Sequence, residues 1–432
     1  PNRPDALGVR GVARDLAARG VGKLKPISVD PVPASFKADL NVSIDDDTRN
    51  GCPVFYGRLI KGVKNGPSPE WLQTQLRAIG LRPISFLVDV TNWFTYDLNR
   101  PLHVFDADKV NGNLRVHRAA GGETLVALDD KEYTLQAGQM VISDDNGAES
   151  IAGVMGGAET GCTEGTVNVF VESAYWDPIQ IAYTGRALKI NSDARYRFER
   201  GVDPAFTPVG LEHAVRMIVD HAGGEASEVI HAGEVPDTSR AYKLDAKRVI
   251  SLVGMEIPES TQRVTLTDLG CKMDGNMAHV PSWRPDVQGE ADLVEEVARI
   301  ASLTKLEGRP LPRIDAGVPK PILTAGQMRQ QAARRTAAAL GYNECVTYSF
   351  IDSKAAKLFG GGDDATMLEN PISSEMSHMR PNLLGGLLRA AARNQARGFM
   401  DMGLFEVGAG FHGGEPGEQH MLVSGVLIGR TG

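Results

Sequence analysis

The residue types that could do hydrolytic chemistry lie in four short blocks of the chain's first half. Thr91-Asn92 and a lone His103 sit inside Arg82–Lys109, RPISFLVDVTNWFTYDLNRPLHVFDADK, which is otherwise apolar and rich in aromatics. A glycine run, AGVMGG, covers Ala152–Gly157, a carboxylate heads ESAYWDP at Glu172, and a hydroxyl heads SDARYRFERGVDP at Ser192. Polar groups set among buried apolar ones must be hydrogen-bonded or they cost free energy, so they end as satisfied core pairs or as the lining of a pocket. A histidine, a carboxylate, a hydroxyl and a turn whose glycines let backbone N–H groups approach a substrate could together build a hydrolytic site. Each also has a plainer reading. His103 reads as a satisfied core histidine, AGVMGG as a tight turn, and Ser192-Asp193 as a helix cap. No GxSxG elbow supports a serine-hydrolase triad. These residues alone specify an α+β domain of open function.

A second constellation is acidic. In WRPDVQGEADLVEEVARI, Trp283–Ile300, a helix beginning near Asp292 puts Leu293, Val297 and Ile300 on one face and Asp292, Glu295 and Glu296 on another, with Asp286 able to fold back toward them. Four gathered carboxylates repel unless a cation or an arginine compensates, and an oxygen-only site suits Mg²⁺. The spacing by itself favours the simpler alternative, an acidic first turn stabilised by the helix dipole.

The elements that must position these residues follow from the rest of the chain. Its 432 residues predict about two to four domains. With 42% hydrophobic and 23% charged residues it can bury several cores. A net charge of −8 excludes a generally basic surface and confines nucleic-acid binding to a local patch, with Arg195, Arg197 and Arg200 the candidates. Cys52, Cys162, Cys271 and Cys345 form no CxxC pair, which argues against a disulfide framework or zinc site and for a reducing cytoplasm. No signal peptide or membrane-spanning run is visible, and no membrane or DNA partner is expected. The chain starts at Pro1 and stops within the apolar MLVSGVLIG, so both ends read as cut from something longer.

Residues 1–49 comprise the end of a preceding domain and a linker. They hold one amphipathic helix with Asp5 as its cap and Val9, Val12, Ala13 and Leu16 as its apolar stripe. Residues 50–225 read as a large α+β domain. VFYGRLIKGV is its first strand; a helix follows with Ser68 capping and Pro69 in the first turn. LRVHRA, TLVALDD, MVISDD and VNVFVES are further strands, and a helix over about 208–221 closes at Gly223-Gly224. Residues 226–242 form a linker. Residues 243–312, with three helices and a short strand at AHVPS, suggest a winged-helix-like unit. Pro310, Pro312 and Pro319 mark the next boundary, and an α/β pattern fills 321–432: helices over Gln327–Leu340 and Leu383–Arg397, and strands at CVTYSF, GLFEV and MLVSGVLI.

Taken in order, the four blocks resemble the editing module of the β subunits of bacterial phenylalanine–tRNA ligases. The resemblance extends from PNRPDALGVRGVARDLAA at the start, through the acidic motif, to ENPISSEMSHMRPNLLGGLLRAAARNQARG (Glu369–Gly398) and GLFEVGAGF (Gly403–Phe411). It implies an α+β multidomain chain made of a B3/B4 editing domain, a small winged-helix-like B5 domain and the start of an inactive, class II synthetase-like antiparallel α/β domain. It implies hydrolysis of Tyr-tRNA(Phe), since a phenylalanine pocket cannot fully reject an isostere with an added hydroxyl and a second site must edit the error. Glu172 would accept the tyrosine phenol. His103 and Asn92 would orient the terminal ribose and the attacking water, Gly153 would offer backbone amides, and Ser192 and Ala194 would line the pocket, Ser192 standing where the family usually has Thr. Asp286, Asp292, Glu295 and Glu296 would hold Mg²⁺. The implied partners are tRNA(Phe) and an α subunit, in an α₂β₂ heterotetramer whose ATP and phenylalanine sites lie in α; no cofactor-binding residue is assigned here, and Arg380 reads as a loop or interface arginine. Two other readings are a non-catalytic tRNA-binding scaffold and a free-standing hydrolase of small esters or amides.

Overall fold

A computed structural model describes residues 3–312 and 322–429. Pro319, one of the expected boundary prolines, lies outside the described residues. The chain divides into two compact units, 1–309 and 310–432. Among the described residues no helix is long and apolar enough to cross a membrane.

The first unit is organised by the strand Asn168–Tyr175. It pairs antiparallel with Val54–Lys61 on one side and His103–Asp106 on the other. Successive side chains of a strand point to opposite faces. Phe170 and Ala174, with Phe55, Leu59 and Phe105 from the neighbouring strands, join one core with Leu114, Val116, Val141 and Ile151 of a second, five-stranded sheet. Val169 and Val171, with Ile60 and Val104, join another core with helices Glu70–Ala78, Phe86–Leu98 and Thr207–Ala222. Both faces of VNVFVES are therefore covered, which is why it reads as an almost unbroken apolar run.

The start of this unit departs from the amphipathic reading. Asp5 does not cap the helix Val9–Ala18; it lies in the preceding 3₁₀ turn, and Gly8 holds the cap position. The apolar stripe faces outward, with Val9, Val12 and Leu16 each about half exposed, because the opposite face is held by charge. Arg3 pairs with Asp5 and Asp15, both at 2.7 Å, and Arg14 with Asp5. Ser68 likewise does not cap its helix, where Pro69 holds that position. Its hydroxyl instead donates to the fully buried Asp89, which also accepts from the Ile84 backbone. Phe86–Leu98 is a helix that the sequence reading did not identify. Its valines and aromatics are weak helix formers, and packing in the second core prevails over propensity.

Within the same unit, Ala246–Val253, Glu259–Asp268 and Glu290–Ala301 are three helices around a core of Val249, Leu266, Leu293 and Val297. The expected single strand is the middle of a three-stranded sheet, Ala241–Lys243, Met277–His279 and Lys272–Asp274.

The second unit has the long hairpin Met402–Phe411 and Gln419–Ile428, extended by Asn343–Glu344. Helices Ala325–Ala339 and Leu384–Gln395 contact it, the first opened by a Thr324/Gln327 capping box. CVTYSF is not one strand: only Phe350–Ile351 at its end is extended and paired. Arg380 lies in the loop after His378–Met379, as expected, but is buried there, and its guanidinium donates to Glu406 at 2.8 Å and to Thr347 at 2.9 Å.

Candidate functional site

The strand register brings His103 and Glu172 side by side. They are direct partners across the antiparallel pair, and Glu172 faces Gly57 on its other flank. All three belong to the face that meets the second sheet, by the alternation that places Phe55, Phe105 and Phe170 there. Gly57 cannot carry a side chain, since a Cβ would fall 2.1 Å from the Phe170 ring.

AGVMGG closes over this pair. Gly153 has φ +68°, and a Cβ there would come within 2.7 Å of both Ile181 and Trp176. The position needs glycine for its backbone conformation and for its space. Gly156 is the glycine that touches the chemistry: a Cβ on it would lie 2.3 Å from the His103 ring. The sequence marked Gly156 only as one of a run, and nothing in the spacing distinguishes it. Ser192 ties the next helix to this turn. Its hydroxyl donates to the Val154 carbonyl at 2.5 Å and accepts from the Arg195 backbone at 3.1 Å, capping Asp193–Phe198. Ala194 packs against the same core.

Asn92 is placed differently. It lies on the Phe86–Leu98 helix, on the other side of the sheet, and its side chain makes no hydrogen bond among the described residues. Tyr96, one turn further along the same helical face, meets the Asp193–Phe198 helix, with Arg197 4.4 Å above its ring. The structure thus gathers His103, Glu172, Gly153, Ser192 and Ala194 around one turn, while Asn92 stands on a helix that reaches them through Tyr96 and through its packing on the His103–Asp106 strand.

Burial sets the charge state of the pair. Glu172 is 6% exposed, and loss of solvation pushes its carboxyl up to about 8. His103 keeps a sliver of surface, but its Nε2 is shut off from solvent and burial pushes the imidazole down to about 4. At neutral pH both are predominantly uncharged, and no ion pair joins them. Glu172 Oε2 and His103 Nε2 also lack any hydrogen-bond partner. Each such group costs about 1–3 kcal/mol. Two side by side, one able to donate or accept and the other an imidazole nitrogen, form a polar spot prepared for groups the chain does not supply.

Ser192→Ala should lower stability by about 1 kcal/mol, through loss of the cap and of the link to Val154. Ser192→Thr, keeping the hydroxyl, should stay within about 0.5 kcal/mol of the parent. Urea midpoints of the two variants check this; equal losses would exclude the hydroxyl as the cause.

The arginine patch is not free for nucleic acid. Arg195 and Arg200 both bond Glu199, and the buried Arg197 bonds Asp193 and the Leu7 carbonyl. The four acidic residues do not form a magnesium ligand set in this structure. Asp286 accepts both prongs of Arg284, at 2.9 and 2.7 Å, and Glu296 is bonded by Arg284 and Arg299. Asp292 accepts from the Gln288 backbone, and Glu295 is exposed. Among the described residues no group of three or more His, Cys, Asp or Glu is disposed to hold a metal. The compensating charge is a guanidinium, the alternative that the acidic clustering left open.

Residues 51–223 match the family model described as B3/4 domain, residues 242–302 the tRNA synthetase B5 domain, and residues 311–432 the phenylalanyl tRNA synthetase beta chain CLM domain. The phenylalanine–tRNA ligase beta subunit of Ruegeria pomeroyi is 76% identical over 432 residues, covering 100% of this chain and 54% of the relative. That of Cereibacter sphaeroides is 70% identical with the same coverage, and that of Paramagnetospirillum magneticum 52% identical over 437 residues, again 100% of this chain and 54% of the relative. The chain thus spans about half the length of the curated relatives it matches. Among solved structures, an N-terminal fragment of the phenylalanyl-tRNA synthetase beta subunit from Pyrococcus horikoshii covers 69% of this chain and 84% of that one, at 17% identity and a TM-score of 0.36, a likeness too slight to define a shared fold.

Proposed function

The chain belongs to the phenylalanine–tRNA ligase β-subunit family, and from that premise we propose that its His103–Glu172 site hydrolyses Tyr-tRNA(Phe) while the subunit supports charging of tRNA(Phe). The observation that carries the reading is the pair of adjacent buried polar atoms, Glu172 Oε2 and His103 Nε2, left without partners on one sheet face. A tyrosyl ester supplies what they lack. The phenol hydroxyl bonds the Glu172 carboxyl, and a phenylalanyl ester leaves that carboxyl unpaired. A site built around a substrate hydroxyl rejects the analogue without it far better than an apolar pocket rejects an added hydroxyl. The neutral His103 imidazole is in the state required to accept a proton from water or to bond the terminal ribose. The turn at Gly153–Gly156 lets backbone come close to the ester, and Ser192 fixes that turn through Val154.

Charging itself, with ATP and phenylalanine bound, is placed in an α subunit, in an α₂β₂ assembly. Residues 321–432 are read as an inactive class II synthetase-like unit, and residues 243–312 as a winged-helix-like one. The buried Arg380–Glu406 pair fits this, since an arginine committed to Glu406 and Thr347 is not available to a nucleotide phosphate.

The test is release of tyrosine from Tyr-tRNA(Phe) by the full-length β chain with its α partner, with Phe-tRNA(Phe) as control. Selective tyrosine release above the spontaneous rate is expected. No release, with charging intact, would leave a tRNA-binding assembly subunit.

A further inference from the structure

A second cleft, of about 430 Å³, lies away from His103 and Glu172 in the first unit. That volume is within the range of small-molecule sites. Its walls include Leu24, Ile27, Leu98 and Phe206, and its polar groups carry both signs of charge.

The donors are under-used. Arg10 lines the cleft and makes no hydrogen bond or ion pair among the described residues. Burial draws its guanidinium below the ordinary value, against the opposing pull of Asp97. Arg100 is 1% exposed; two of its nitrogens bond the carbonyls of Ala174 and Asp203, and its Nε has no partner. Trp283 lies beneath Arg14, 4.4 Å from ring centre to guanidinium, and its indole N–H is buried and unpartnered. Native interiors rarely leave such groups unmet.

The acceptors are under-used too. Asn99 ends the Phe86–Leu98 helix in the left-handed conformation, φ 52°, and its buried Oδ1 has no partner. Asp268 lines the cleft at the C-terminal end of Glu259–Asp268, where the helix dipole disfavours a carboxylate, and it has no cationic partner among the described residues. Two further carboxylates of the cleft are engaged: Asp5 with Arg3 and Arg14, and Asp203 with the Ala205 backbone.

An anion alone would leave the buried Asn99 oxygen unmet and sit beside the exposed, unpaired Asp268 carboxylate, and a cation would leave the buried N–H groups of Arg100 and Trp283 unmet. We propose that this cleft binds a zwitterionic α-amino acid with an apolar side chain, its carboxylate toward Arg10 and the unpartnered N–H groups, its ammonium toward Asp268 and Asn99, and its side chain against Leu98 and Phe206. The site stands apart from the proposed editing pocket, with none of His103, Gly153, Glu172 or Ser192 in its lining.

L-phenylalanine, phenethylamine and 3-phenylpropionate are the probes, titrated calorimetrically and by tryptophan fluorescence into the 432-residue chain without any α subunit. Phenylalanine should bind saturably, and each analogue, lacking one charge, should bind at least about tenfold more weakly. Arg10→Ala should erase the advantage of phenylalanine over phenethylamine while keeping its advantage over 3-phenylpropionate. Asp268→Asn should do the reverse. Trp283→Phe, which removes one of the N–H donors, should weaken phenylalanine binding and diminish the fluorescence response. Both charged side chains are accessible, so circular dichroism of the variants should match the parent. Absence of saturable binding up to roughly 10 mM, an affinity too weak to matter, would overturn the proposal, as would equal binding of all three probes.

Discussion

Arg284→Ala is expected to cost the first unit about 3–5 kcal/mol of unfolding free energy, the usual penalty for stripping one partner from a buried ion pair. Arg284 is 4% exposed and is the hub of a charge chain that crosses sequence-distant elements. It holds Asp286 at 2.7 Å, Glu296, and, at 3.9 Å, Asp5 of the first turn. From Glu296 the chain continues to Arg299, then to Asp15, Arg3 and back to Asp5. Without Arg284, Asp286 loses its only ion-pair partner among the described residues, and Glu296 keeps, among them, only Arg299. Arg299→Ala should cost less, because Glu296 retains Arg284 and Arg299 is a quarter exposed. The measurement is the urea midpoint and slope of each variant at low salt. A loss for Arg284→Ala below about 1 kcal/mol would mean that the carboxylates are solvated or otherwise compensated.

This network shows what the sequence could and could not disclose. The acidic motif signalled that carboxylates cluster and need a counter-charge. It could not signal that the counter-charge is Arg284, two residues from Asp286, or that Arg3 and Asp15 arrive from about 280 positions away, as the Asp15–Arg299 contact shows. The helix Val9–Ala18 is misleading for the same reason. Its periodicity gives an apolar stripe, but the ionic face is turned inward, and only tertiary contacts decide which face is buried. Strands buried on both faces, and the helix closing at Gly223, were legible because local composition specifies them. Phe86–Leu98 was not, because its propensity conflicts with its packing. Within the site, the residue types in the four blocks were legible. The cross-strand register that makes His103 and Glu172 partners was not, since a slip of one residue between the two strands would put them on opposite faces.

That register is also what makes Glu172 worth substituting. Its carboxyl titrates near 8 in the folded chain against an ordinary 4.5, so the folded state holds a proton that the unfolded chain releases between those values. Stability from this group is complete below 4.5 and is lost as pH rises to about 8. His103, held near 4 against an ordinary 6.5, has the opposite slope, its contribution complete above 6.5 and lost as pH falls toward 4. The two oppose each other below 6.5, so the window from 6.5 to 8 reports Glu172 alone of the pair. Across it the parent should lose on the order of 1–2 kcal/mol more than Glu172→Gln, read from urea midpoints at the two ends. Equal slopes would mean that Glu172 is ionised at neutral pH. Under the proposed function, the same substitution also separates tyrosine recognition from hydrolysis. Glutamine keeps an acceptor oxygen for the phenol and should retain part of the preference for tyrosyl over phenylalanyl ester. Glu172→Ala keeps none and should lower that preference by about 100-fold or more. Ester hydrolysis as such should persist in both, since His103 and the Gly153–Gly156 turn are untouched. An alanine variant that still discriminates would remove Glu172 from tyrosine recognition, whatever its charge state.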